Sequence, residues 1–302
     1  MKTNSSLKTA IIKTLAYSDL FNFPLTKTEL WQRLIIKTNH PLQKQDFNSA
    51  LERLLKNGLV EEDKAWFFLK GRREICRLRQ RSGKISQEKK SRLKKITGWL
   101  KRIPTIKMAA LTGALAMDNA AVDDDLDLLI ITSPNRLWST RILLIGLTEF
   151  LGMRRRPKQK ETKDKICLNM FLDTTALEIT RDKRNLYTAY QVIQIKPIVN
   201  IDFAYERFLL ENHHWIKTYL PNNPILTLKI GQLEAIQAEF PKTGFLNQLE
   251  KWFYQLQIWY MKPRLTRETV TVHSAFFHPQ DRGKKTLARF QELALNKLAF
   301  RA

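Results

Sequence analysis

The chain has 302 residues, 43% of them hydrophobic, and a formal net charge of +23 with a pI near 10.1. This excludes a wholly disordered polymer, predicts about two or three domains, and predicts attraction to polyanions. Cys76 and Cys167 offer neither a disulfide framework nor a zinc pattern, and no segment reads as a signal peptide or a bilayer span, so the expectation is a cytoplasmic protein with no membrane partner.

Residues 1–70 read as three short helices followed by a hairpin. Leu7, Ile11, Ile12 and Leu15 recur at helical spacing until Phe21-Asn22-Phe23-Pro24, where the proline disfavours helix in the residue before it. Thr26 with Glu29 three residues on is a capping-box pattern, and Leu30, Trp31 and Leu34 give the second helix its apolar face. A third helix is expected over 46–57 with Phe47, Leu51, Leu54 and Leu55 inward, closed by Asn57-Gly58. Leu59-Val60-Glu61 and Trp66-Phe67-Phe68-Leu69 flank an acidic turn as a β-hairpin. This order resembles a winged-helix domain, in which the third helix enters the DNA major groove. That helix carries Arg53 and Lys56 against Asp46 and Glu52, so DNA reading and protein contact both remain open.

Residues 71–103 form a basic helical linker. Arginines and lysines run from Arg72 to Arg102, opposed only by Glu74 and Glu88, with Ile75, Leu78, Leu93, Ile96, Trp99 and Leu100 at helical spacing. Two helices broken near Ser82-Gly83 are expected, and residues 72–102 are a candidate nucleic-acid contact. After Pro104 the pattern alternates over 104–220: strands at 105–112, 126–132 and 166–172, with an amphipathic helix over 136–151. Beyond Asp173 the chain reads as helical, with helices over 186–195, 204–219, 233–240, 246–261 and 283–298, the last three in a C-terminal region 221–302. The aromatic stripe Trp252, Phe253, Leu256, Trp259, Tyr260 is expected in the core. His273 and His278 have ligand-compatible spacing but no surrounding cluster of carboxylates and histidines.

Chemistry concentrates in LTGALAMDNAAVDDDLDLLIIT, residues 111–132. Residues two apart on a strand share a face, so Asp125 and Asp127 project together while Leu126 and Leu128 turn to a core. Paired carboxylates repel unless a cation lies between them, and Mg2+ or Mn2+, which take oxygen ligands and share them with phosphates, fit that position. Gly113 allows close backbone approach to a ligand, and the N–H groups that follow it suit a triphosphate.

Glycine, a spacing of about ten to twelve residues, and Asp-x-Asp on an apolar strand resemble the DNA polymerase β-like nucleotidyltransferase superfamily over residues 105–175. The resemblance implies an α+β protein: an N-terminal winged helix, a small mixed-sheet nucleotidyltransferase core and a helical C-terminal region. It implies Asp125 and Asp127 as metal ligands and Thr112, Gly113 and Ala114 as the nucleotide-binding turn, with Ala114 where the family carries serine. The family's third carboxylate lies on a later strand beside the pair. If Leu168, Met170 and Leu172 are inward here, Cys167, Asn169 and Phe171 face the site, and Asn169 takes the third position. Arg136 and Arg141 are candidates to neutralise phosphate, while Asp123 and Asp124 read as turn residues. Three functions follow: transfer of a nucleoside monophosphate from a nucleoside triphosphate to a hydroxyl acceptor, a DNA-binding regulator with a degenerate nucleotide-sensing core, or a scaffold.

Overall fold

A computed structural model describes residues 2–38, 40–156, 159, 161–224, 244–264, 269–277 and 282–299. The helix expected over 233–240 and His278 lie outside the described residues. The fold is α+β, with two sheets and a mainly helical C-terminal region.

The N-terminal elements follow the expected order. They are α1 (Lys2–Asp19), β1 (Leu25–Thr26), α2 (Lys27–Gln32), α3 (Lys44–Lys56), β2 (Val60–Asp63) and β3 (Trp66–Leu69). The capping box forms as read: Glu29 N–H donates to Thr26 Oγ1 at 3.2 Å, and Thr26 N–H donates to Glu29 Oε2 at 2.8 Å. Gly58 at φ +62° ends α3, with Gly58 N–H bonded to the Leu55 carbonyl and Leu59 N–H to that of Leu54. Two-residue β1 joins the hairpin in a three-stranded antiparallel sheet, order β1-β3-β2.

The basic segment is one helix, α4 (Glu74–Leu100), rather than two. Gly83 was the reason to expect a break. A mid-helix glycine costs only about 1 kcal/mol, and α4 is anchored on both sides of it, by buried Ile75 and Cys76 and by buried Leu93, Ile96 and Leu100. Much of its charge is spent on packing. Arg79 makes paired 2.8 Å bonds to Glu29, and buried Lys89 donates to the Val122 and Asp124 carbonyls and to Asp164.

The central sheet is built from β4 (Ile106–Leu111), β5 (Leu126–Thr132), β6 (Ile166–Asp173), β7 (Lys196–Asn200), β8 (Thr269–Val270) and β9 (Ser274–Phe276) in the order β7-β4-β5-β6-β9-β8. It is mixed: β5 and β6 are parallel and the other pairs antiparallel. Short α5 (Gly113–Ala116) links β4 towards β5, and α6 (Leu137–Phe150) makes the crossover to β6. The helices α7 (Leu186–Gln194), α8 (Ala204–Ile216), α9 (Gly244–Met261) and α10 (Arg282–Ala299) complete the described chain.

The expectation that everything beyond Asp173 is helical fails at β7, β8 and β9. Pro197 stops α7 from continuing and suits an edge strand, whereas two- and three-residue strands are too short to show a period. The aromatic stripe is corrected too. Phe253, Tyr254 and Ile258 of α9 pack on the sheet's helical layer, but Trp252, Leu256, Trp259 and Tyr260 are exposed, Trp259 by 75%.

Two cores sandwich the sheet. Residues of α1, α3, α7, α8 and α10 cover Met108, Ala110, Leu129, Ile131 and Leu172 on one face. Residues of α4 and α6 cover Ala109, Leu111, Leu128, Ile130 and Phe171 on the other. The first core runs from Leu7 to Ala294 and ties the N-terminal module to the sheet, with Tyr17 stacked on Tyr190 at 4.3 Å and edge-on to Phe290 at 5.4 Å. Strand β5, apolar on both faces, is buried between these layers, and only its N-terminal end carries charge, at half-buried Asp127.

Candidate functional site

Asp125 immediately precedes β5 and Asp127 is its second residue, so alternation puts both on the face that continues through Leu129 and Ile131. Leu126 and Leu128 between them are fully buried on the opposite face and lock this register. Strand β6 runs parallel beside β5 with Cys167 opposite Asp127. The carboxylates of Asp125 and Asp127 and the thiol of Cys167 offer ligand atoms that all lie within 4.8 Å of one another.

The register of β6 slips by one residue between these pairs, since Asp127 faces Cys167 but Leu129 faces Met170. The extra residue is a β-bulge, a feature that re-aims side chains. Asn169 turns to the pair and donates from Nδ2 to Asp127 Oδ1 at 2.8 Å. Phe171, expected to face the site, is instead buried in the opposite core beside Leu128 and Ile130. Asp173 pairs with Thr132 at the far end of the strands and is buried, its carboxylate held by Asn135 N–H, Thr175 and His273 Nδ1. It does not approach Asp127. His273 therefore has one carboxylate partner, which its sequence neighbourhood did not reveal.

Gly113 lies against the pair. Its φ is +62°, and a Cβ placed on it would meet Asp127 Oδ2 at 3.3 Å, so both conformation and space favour glycine. Thr112 holds the neighbouring backbone, its N–H donating to the Asp127 carbonyl at 3.1 Å, and Ala114 is exposed on the first turn of α5. Asp124 accepts Ala121 N–H at 2.8 Å, in keeping with a turn residue.

Arg136 and Arg141 are not brought to the pair. They follow the C-terminal end of β5, and five residues of strand from Asp127 to Thr132 span about 17 Å. Arg136 donates to Asn247 Oδ1 at 3.0 Å, while Arg141 binds Gln257 Oε1 and lies 4.5 Å from the Phe277 ring centroid. Burial, then Arg154, push the Arg141 guanidinium down to about 10. The start of α6 is itself closed to a phosphate by buried Glu250, whose carboxylate accepts the N–H groups of Trp138 and Ser139.

The positive charge at the pair comes from elsewhere. Arg155 donates to Asp125 Oδ2 and lies 3.5 Å from Cys167 Sγ, and Arg282 at the start of α10 adds charge near Asp127. The sequence signal for Arg155 was the Arg154-Arg155-Arg156 run after α6, in the crossover to β6, read with the parallel pairing that puts the start of β6 next to Asp125. No comparable signal marked Arg282.

These surroundings suit a cation. Burial, and then the charge of Asp125, raise the Asp127 carboxyl to about 6 despite the opposing Cys167 hydrogen bond and Arg282 and Arg155. Burial and both aspartates push the Cys167 thiol up. Asn169 Oδ1 is buried without a hydrogen-bond partner. A divalent cation would relieve the carboxylate repulsion and could satisfy that oxygen, so the donors present fit one.

Because the folded-state value for Asp127 lies above the ordinary 3.8, the native state holds its proton more tightly than the unfolded chain. Native stability without a cation is therefore lost as pH rises from about 4 through about 6. Asp127→Asn removes this ionisation, so its melting temperature should exceed that of the wild type above pH 6, by an equivalent of roughly 1–3 kcal/mol, and the gap should shrink towards pH 4. Melting curves across this range in the presence of chelator measure it, and a gap independent of pH would contradict the assigned environment. No protein family, curated protein or solved structure matches the chain, so the nucleotidyltransferase resemblance rests on residues 105–175 alone.

Proposed function

We propose that the chain is a metal-dependent nucleotidyltransferase that moves a nucleoside monophosphate from a nucleoside triphosphate to a hydroxyl acceptor. The observation that carries this reading is the carboxylate pair at the head of β5, with Gly113 backbone against Asp127 and no side chain between them. Asp125 and Asp127 would hold Mg2+ or Mn2+, which when bound polarises the α-phosphate and stabilises the departing pyrophosphate. Gly113 keeps its backbone against Asp127, and Arg155 and Arg282 would add positive charge where the nucleotide carries negative charge. Asn169 fixes the orientation of Asp127 through its Nδ2 bond.

A second reading draws on the same residue. An amide at the third position cannot accept the acceptor's proton, which favours a regulator that binds nucleotide without turnover and contacts nucleic acid through its N-terminal winged-helix-like module. Nucleotide-binding calorimetry with and without Mg2+, followed by a turnover assay on the same preparation, separates the two. Both readings predict magnesium-dependent triphosphate binding that is lost in Asp125→Ala/Asp127→Ala. Unchanged metal-dependent affinity in that variant would remove the assignment, and binding without turnover would favour the regulator.

The nucleic-acid surface we propose is narrower than residues 72–102. Arg72, Arg79, Lys89 and Lys90 are engaged with Asp19, Glu29, Asp164 and Asp118. Arg77, Arg81 and Lys84 remain exposed and line a cleft of about 610 Å³ with Trp66, Gln80 and Gln87. Cations beside an aromatic ring and amides suit a sugar-phosphate backbone. Neutralising the three to Gln should lower the salt-dependence slope of oligonucleotide binding by about 0.7–0.9 per lost contact. An unaltered slope would show that this cleft does not touch the phosphates.

A further inference from the structure

Cys167 is unusual company for a magnesium-binding carboxylate pair. Magnesium takes hard oxygen ligands, whereas a thiol selects softer divalent ions. The thiol does not merely lie near the pair: β6 places it opposite Asp127, and its sulfur is within 4.8 Å of a ligand oxygen of each aspartate. In a tetrahedral set, metal–oxygen bonds of about 2.0–2.2 Å and a metal–sulfur bond of about 2.3 Å put the donors roughly 3.6 Å apart. An inward movement of at most about 1 Å closes such a set around one cation.

Two independent observations point to a ligand at this place. Asn169 is only 6% exposed, its amide is held beside Asp127, and its Oδ1 has no hydrogen-bond partner. The guanidinium of Arg155 already contacts both Asp125 and Cys167, which marks the position that positive charge prefers. Arg155 is 36% exposed on its side chain, so an entering cation would compete with it for Asp125 and Cys167 from the solvent side.

We propose that Cys167 is a metal ligand, completing with Asp125, Asp127 and the Asn169 amide oxygen a centre that selects a thiophilic divalent cation such as Zn2+ over Mg2+. The proposal rests on the reading that the aspartate pair holds a cation and specifies which one. On binding, the Cys167 S–H bond breaks, its proton passes to water, and an Sγ–metal bond forms with no change in oxidation state. The cation then meets a mixed oxygen-sulfur donor set that zinc engages in full, whereas magnesium uses its oxygens alone and is held more weakly.

Cobalt reports the bond directly, because a thiolate on Co2+ gives a near-ultraviolet charge-transfer band. The full chain carrying Cys76→Ala, which leaves Cys167 as its sole thiol, is stripped with chelator and titrated with Co2+. The band should rise to saturation, vanish on adding Zn2+, and be absent when Cys167→Ser is added. That second change should weaken Zn2+ binding by at least the about 10–100-fold that loss of an outer-shell partner costs, and leave Mg2+ binding nearly unaltered. In the unsubstituted chain, alkylation of Cys167 should be blocked by Zn2+ and not by Mg2+, a readout that needs no variant to fold. Co2+ binding without the band, or Zn2+ that fails to protect the thiol, would overturn the proposal while Mg2+ binding by the aspartates still stood. Absence of any divalent binding, or binding indifferent to Asp125→Asn/Asp127→Asn, would bring down both.

Discussion

Two carboxylates are fixed two residues apart on one face of a strand whose other face is a closed hydrocarbon core. Leu126 and Leu128 cannot leave that core without exposing it, so Asp125 and Asp127 cannot separate by a change of register. Burial, and then their mutual repulsion, raise the carboxyl of Asp127. Arg155, Asn169, Cys167 and Gly113 are all arranged around this constraint, each supplying charge, a hydrogen bond or space where the pair needs it.

The rest of the molecule serves to hold the head of β5 in place. Lys89 of α4, buried, ties the turn before Asp125 to Asp164 ahead of β6, so the two loops that lead into the site share one cation. The far end of the sheet is secured differently. Glu250 caps α6, Arg136 and Arg141 bind α9, and Asp173 gathers Thr175 and His273. Charge is thus divided between the far end of the sheet and the carboxylate pair at the head of β5, which a count of basic residues conveys poorly. On α4, Arg77, Arg81 and Lys84 line the cleft beside Trp66, while Arg79, Lys89, Lys90 and Arg92 are paired with carboxylates.

Local chemistry was the legible part of the sequence. The Thr26–Glu29 capping box, the Gly58 stop and the alternation through Asp125, Leu126, Asp127 and Leu128 are decided within a few residues, and all appear in the structure. Asn169 donates to Asp127 even though the strand behind it departs from simple alternation. Phe171 was misplaced because one bulge residue flips everything after it, and no residue type announces a bulge. Arg136 and Arg141 were drawn to phosphate by proximity in sequence, whereas their partners Asn247 and Gln257 lie more than a hundred residues away. Gly83 looked like a break because propensity is local, while the packing that keeps α4 whole is tertiary. The α9 stripe looked like core because hydrophobicity predicts burial on average, and here Trp252, Trp259 and Tyr260 stand outside it.

If the carboxylate pair is the organising constraint, its protonation must report the cation. Carbon-13 labelling of the aspartate carboxyls allows Asp127 to be followed by NMR through a pH titration, with its resonance assigned by Asp127→Asn. Without a cation the midpoint should lie near 6, and saturating divalent cation should move it below the ordinary carboxylate range. A midpoint at the ordinary value without a cation, unmoved when one is added, would contradict the account.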